Sequence, residues 1–248
     1  MNVFVLLSEF IRGTSPEALA RLGARSRLRR VQRGETLMQA GESCKVLGFV
    51  AEGSLALVQD LPHGSPHIMG ILLPGDEFGR IFDGPMPHSV EALSECTVLE
   101  VERETLEAEL KANPEAEQAF IVSMFDELNA ARAWVLVVSS PHVKVRLAAF
   151  LMILRLRQQD RHGPHKAGPA TLRLPMTRKD LARCLAVRSE SLSRAIHSLA
   201  RSGIIEVVAP DILHVPDSDR LVAMAGHLPG LIPKDKHRTE QKKISPKR

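Results

Sequence analysis

Apolar and polar positions change rhythm several times along the chain. Thr14 or Ser15, followed by Pro16 and Glu17, forms a capping pattern, and Ala18, Leu19 and Leu22 continue it at helical spacing. From about 31 to 103 the apolar stretches become short: "LGFVAEGSLALV", "IMGILLPGDEFG" and "CTVLEVE". Glycine, proline and charged turns separate them, which predicts an all-β sandwich or roll. Residues 104–140 then read as helix. Within them Ile121, Met124, Leu128, Ala131, Val135 and Val138 alternate in threes and fours, the a/d pattern of a coiled-coil seam. Such a seam pairs with another helix, and the alternative is packing on the chain's own β domain. Ser139, Ser140 and Pro141 break the pattern and predict a hinge near 139–142.

Past the hinge, "HVKVRLAAFLMILRLRQQ" is helical and leads into a loop rich in Gly, Pro and His at 161–170. Two further helices follow, "TRKDLARCLA" and Ser189 to about Arg201, with a short break near Val187–Arg188. Thr177 is the expected N-cap and Asp180 takes the capping-box position. Leu181, Ala182, Leu185, Ile196 and Leu199 are placed to pack the two helices together, and "IIEVVAPDILHV" supplies two short strands. Helix, turn, helix and hairpin make a winged helix-turn-helix. The predicted class is α+β: a β-roll over 1–113, a dimerisation helix over 114–140, a winged helix-turn-helix over 141–232, and a disordered basic tail over 233–248.

Composition changes this picture in one respect. The 248 residues carry a formal net charge of +4, but it is unevenly spread. Residues 1–140 hold 12 Lys+Arg against 20 Asp+Glu, residues 141–232 hold 14 against 7, and the tail holds 7 against 2. A basic second half facing a polyanion follows from that asymmetry. No apolar run is long enough to span a membrane, and no basic residue precedes the apolar start, so no signal peptide is read. Cys44, Cys96 and Cys184 are odd in number and far apart, which gives no disulfide framework and fits the cytoplasm.

The second helix of the pair carries the chemistry. Glu190, Ser193, Arg194, His197 and Arg201 fall on one stripe, opposite Leu192, Ala195, Ile196 and Leu199. Arginine can grip guanine O6 and N7 with two hydrogen bonds, while glutamate accepts from the cytosine amine of the same pair. Glu190 and Arg194, four residues apart, can also hold each other in the absence of DNA. Glu190, Ser193 and Arg194 are therefore the base-reading set. Thr177, Arg178, Lys179, Arg183, Arg188, Ser189, Ser191, His197 and Arg201 are the candidates for phosphate or flanking contacts.

"RLAAFLMIL", "LPMTRKDLARCLAVRSESLSRAI", "LLPGDEFGR" and "DELNAARAW" resemble the CRP/FNR superfamily of bacterial transcription regulators, in its FNR and FixK branch. The resemblance covers almost the whole chain. It implies a homodimer on double-stranded DNA, activation through RNA polymerase, no enzymatic activity, and TTGA-type half-sites read by Glu190, Ser193 and Arg194. Ser189 stands where the CRP branch carries another DNA-reading arginine. A TTGAT-N4-ATCAA-like palindrome is thereby implied.

Three departures limit the carry-over. In "FGRIFDGPMPHSVEAL", Arg80 and His88 occupy the places of the Glu and Arg that hold a cyclic nucleotide, so cyclic AMP is not expected. No cysteine precedes Cys44, so no iron–sulfur cluster is expected. Ala186 replaces the usual turn glycine, a cost of about 1 kcal/mol if the backbone there is left-handed. Haem would have to use histidines such as His63, His67 and His88, whose spacing is not diagnostic, and no cofactor is predicted. A haem- or small-ligand-gated sensor is the alternative function, and a β-roll metal enzyme a remote one lacking its clustered His and Glu motif. Cys184 falls where some relatives lose DNA binding on oxidation, but its place between Leu181 and Leu185 favours a small buried core residue.

Overall fold

The computed structural model describes residues 2–60, 66–159 and 168–226. Two helices open the chain, α1 (Val3–Phe10) and α2 (Pro16–Ala24). Ser15 caps α2 by accepting from the Ala18 N–H at 3.3 Å, with Pro16 in the first turn. The strands that follow are β1 (Ser26–Val31), β2 (Thr36–Met38), β3 (Val46–Glu52), β4 (Leu55–Gln59), β5 (His67–Leu72), β6 (Glu77–Gly79), β7 (Ser89–Ala92) and β8 (Cys96–Glu102). They pair antiparallel into two sheets, β1-β8-β3-β6 and β2-β7-β4-β5.

Strand alternation explains how one sheet serves two cores. Leu47, Phe49, Leu99 and Val101 face outward onto α1, α2 and the helices that follow β8. Val50 and Val98 face inward with Val31, Leu55, Phe78 and Val90, filling the space between the sheets. Gly48 is required there, because a Cβ would lie 2.1 Å from the Phe78 ring.

The helical region after β8 is split, where its rhythm predicts one helix. α3 (Arg103–Ala112) ends at Asn113, and α4 (Pro114–Ser139) restarts with Pro114 in its first turn. Proline cannot donate into a continuing helix, and the Asn113 side chain caps the new one from the Ala116 N–H at 3.3 Å. α4 is apolar on two sides. Ala116, Phe120 and Met124 cover the roll and its helices, while Trp134 and Val137 pack toward the C-terminal unit. Ile121, Val122, Phe125, Leu128, Val135 and Leu136 are left 44–61% exposed.

The residues of the predicted seam do not all fall on one face. Ile121, Leu128 and Val135 do lie on the exposed row and Ala131 is exposed, but Met124 turns inward and Val138 is half-buried. Phe125 takes a place on the outer row. A helix with two apolar faces presents a seam that spacing alone assigns only in part.

The C-terminal unit contains α5 (Val143–Gln159), β9 (Ala170–Arg173), α6 (Arg178–Cys184), α7 (Ser189–Arg201), β10 (Glu206–Ala209), β11 (Ile212–Val215) and α8 (Ser218–Ala225). Leu147 to Met152 of α5 are buried without interruption. The same core holds residues of α6, α7, α8 and the wing, and also Ala56, Val58, Ile68, Leu73 and Leu93 of the roll. The wing sheet has order β10-β11-β9, so β9 adds a third strand to the predicted hairpin, and α8 is an additional helix. Both are too short to show a firm period. His63, residues 161–167 of the predicted loop, residues 227–232 and the basic tail 233–248 lie outside the described residues.

Polar contacts also join roll and C-terminal unit. Arg33 pairs with Asp180 at 2.7 Å, Ser54 donates to the Pro175 carbonyl at 2.6 Å, and Arg157 pairs with Asp76 at 2.8 Å. Beside Asp76, the carboxyl of Glu77 meets Glu127 of α4. Burial first, then the Glu127 and Asp76 carboxylates, push Glu77 up to about 8 from its ordinary 4.5. Glu127 is raised too, chiefly by burial. The folded protein thus holds a proton that the unfolded chain releases, so stability falls as pH rises from about 4.5 toward about 8. Glu77→Gln should match wild type in thermal unfolding near pH 5 and exceed it at pH 8. An identical pH slope in both proteins would remove Glu77 from this role.

Candidate nucleic-acid interface

Helices α6 and α7 are joined by a tight turn whose geometry follows from one residue. Ala186 has φ +52°, in the left-handed region. Its N–H donates to the Arg183 carbonyl at 3.1 Å, and the Val187 N–H donates to the Ala182 carbonyl at 2.9 Å. This is a Schellman ending, normally built on glycine. The end of α7 repeats it with Gly203 at φ +66°, where the Ile204 N–H reaches the Leu199 carbonyl at 3.0 Å. The chain thus makes the same turn twice, once with an alanine.

Beyond the turn, Leu192, Ala195, Ile196 and Leu199 of α7 are buried. Arg188, Ser189, Glu190, Arg194, His197 and Arg201 are exposed, and Ser191 and Ser193 are half-buried. The predicted stripe therefore lies on the open face. Among the described residues no ion pair joins Glu190 to Arg194, although their spacing allows one. An exposed pair of this kind is worth only a few tenths of a kcal/mol, too little to hold two long side chains together. Arg188 precedes α7 without a side-chain cap, which leaves the positive end of the helix suited to a phosphate oxygen.

The flanking set divides. Lys179, Arg188 and Arg201 are exposed. Thr177 instead caps α6: its hydroxyl accepts from the Asp180 N–H at 3.2 Å, donates to the Asp180 carboxylate at 2.6 Å and accepts from Arg33 at 3.3 Å. Arg178 donates to the Pro210 carbonyl of the wing turn at 3.0 Å. Both side chains thus also make contacts within the protein. Arg183 is half-buried and reaches the Pro66 carbonyl at 3.4 Å. Arg33 itself has no sequence signal, being one charged turn residue among many.

Cys184 is buried on α6, with its sulfur 3.8 Å from that of Met176. Burial, reinforced by Asp180, pushes its thiol up to about 12, which suppresses the nucleophilic thiolate. In the roll, Arg80 donates to the Pro85 carbonyl at 3.3 Å, His67 is exposed, and half-buried His88 has its pKa lowered by burial. A cavity of about 850 Å³ separates α4 from the roll, lined by Phe49, Trp134, Asp76, Glu77, Asp126 and Glu127 among others. Among the described residues no group of His, Cys, Asp and Glu is placed to hold a metal ion, and no helix is long and apolar enough to cross a membrane.

A roll set on a long helix, with a winged helix-turn-helix beyond its far end, defines a DNA-binding transcription regulator. Comparison with known proteins identifies the kind. Residues 28–113 match the cyclic nucleotide-binding domain model, and residues 145–224 match the Crp-like helix-turn-helix domain model. The fumarate and nitrate reduction regulatory protein of Salmonella typhimurium is 31% identical over 199 residues, 79% of this chain and 78% of that protein. The transcriptional activator protein FnrL of Cereibacter sphaeroides is 29% identical over 210 residues, 85% of each. The fold matches that of FixK2 from Bradyrhizobium japonicum with a TM-score of 0.69 at 23% identity, over 82% of this chain and 98% of that one. The chain belongs to the CRP/FNR family of transcription regulators.

The turn makes a direct prediction. Ala186→Gly should raise stability by about 0.5–1 kcal/mol, the relief of left-handed strain less the greater freedom of glycine in the unfolded chain. Urea unfolding measures this, and a loss of stability would mean the alanine methyl makes a compensating contact.

Proposed function

We propose that this protein is a cytoplasmic, homodimeric activator of the FNR/FixK type that reads a TTGAT-N4-ATCAA-like palindrome and contacts RNA polymerase. The observation that carries the reading is α7, whose buried face is locked in the core while Glu190 and Arg194 stand exposed on the other. Arg194 reaches guanine O6 and N7, Glu190 accepts from the paired cytosine, and Ser193 sits between them. With no pair between Glu190 and Arg194 to break, neither side chain has to be released before binding. Lys179, Arg188 and Arg201 take the flanking phosphates.

One recognition helix reads only a half-site, and two-fold symmetry supplies the second. The exposed row Ile121, Phe125, Leu128 and Val135 on α4 is the surface a second copy covers. Cyclic AMP does not fit this reading: Arg80 replaces the ribose-binding carboxylate, and His88 stands in place of the phosphate-binding arginine. Neither haem nor an iron–sulfur cluster enters it.

The cavity favours one second reading, in which a small ligand gates DNA binding. Tight binding by colourless, effector-free protein supports the first reading over that one. Arg194→Ala tests the base-reading assignment: it should cost the palindrome about 1–3 kcal/mol of discrimination while leaving random duplex nearly unchanged. Equal losses on both duplexes, read by fluorescence anisotropy, would reduce Arg194 to a phosphate contact.

A further inference from the structure

Arg146 lies half-buried in the first turns of α5, and its guanidinium spans the hinge. Nε donates to the Ser140 carbonyl at 2.6 Å, while Nη1 donates to the Leu185 carbonyl at 2.8 Å and the Ala186 carbonyl at 3.2 Å. Ser140 is the extended C-cap of α4, and Leu185 and Ala186 form the ending of α6. All three carbonyls lie at helix ends, where intrahelical donors run out and a positive charge is favoured. One rigid, planar fork therefore joins the C-cap of the long helix to the turn that launches the recognition helix.

Arg220 offers an internal comparison. It donates to the Ser202 carbonyl at 2.7 Å and the Gly203 carbonyl at 3.4 Å, clasping the equivalent turn at the far end of α7. Both ends of that clasp belong to the C-terminal unit, since Arg220 is on α8. Of the two arginines, Arg146 is the one whose bonds reach back across Ser140 to α4.

We propose that Arg146 is a positioning residue that fixes the angle between the dimer helix and the recognition helix, and so sets the half-site spacing the protein accepts. It does this through backbone carbonyls, without presenting its own charge to DNA. In a two-fold dimer the separation of the reading heads is the sum of two such angles, so a small freedom at each hinge blurs the spacing. A half-site engaged by one head alone is insensitive to it. The proposal rests on the palindrome reading given above.

The test compares wild type, Arg146→Gln and Arg220→Gln on single half-sites and on palindromes whose central spacer runs from two to six base pairs. Wild type should show one sharp spacer optimum. Arg146→Gln should weaken the half-site no more than Arg220→Gln does, lose about ten-fold beyond that on the best palindrome, and flatten the spacer profile, because the second contact loses its effective concentration. Arg220→Gln should weaken half-site and palindrome together and keep the optimum. An Arg146→Gln protein that is only less stable to urea, with the spacer profile unchanged, overturns the proposal. Wild type without a spacer optimum fails the palindrome reading itself and takes the proposal with it, an outcome separate from the behaviour of the variant.

Discussion

The arrangement depends on a helix with an uninterrupted buried run. From Leu147 to Met152 every side chain of α5 is buried, with α7 and α8 packed on it and residues of the roll in the same cluster. Full burial of a leucine or phenylalanine contributes about 1.5–3 kcal/mol. The orientation of the reading helix is therefore inherited from a close-packed interior rather than from loops. Trp134 of α4 meets Phe150 of α5 edge to face, with centroids 6.5 Å apart, so the same core also receives the end of the long helix.

Around that core the polar contacts address backbone that helices leave unsatisfied. Ser140, Leu185, Ala186, Ser202 and Gly203 all present carbonyls at helix ends, and arginines answer each of them. The left-handed alanine at 186 costs on the order of 1 kcal/mol, and the Schellman bonds with Arg146 offset it. Arg33 does similar work at the start of α6, where it binds the capping pair Thr177 and Asp180 from the roll. The roll thus contacts the first helix of the reading pair, and the face of α7 that carries Arg194 stays clear.

Much of this was legible in the sequence, for physical reasons that differ by element. "CTVLEVE" is β8 residue for residue, because a strand buried on both faces reads as a near-continuous apolar run, and Ser189–Arg201 is α7, because its helical period matches one buried face. The exposed stripe of α7 followed from the same period. The seam of α4 was only partly legible, since a helix packed on two sides spreads apolar residues over both. Thr177 and Arg178 look like phosphate contacts in a basic stretch, and only the fold shows that Arg33 and the wing turn engage them. Arg33 acts on the Thr177 and Asp180 side chains, far away in sequence, and Arg146 acts on backbone carbonyls, so neither leaves a local pattern to read.

The central claim is that the outer row of α4 is covered by a second copy, which brings two α7 helices to two half-sites. Six large apolar side chains left exposed along one helix are a poor fit to a free monomer. Sedimentation equilibrium of wild type and Leu128→Glu, without DNA, tests this most directly. The account predicts roughly twice 27.3 kDa for wild type at micromolar concentration and the monomer mass for the variant, with its fold retained by circular dichroism. A wild-type protein that stays monomeric at tens of micromolar would contradict it.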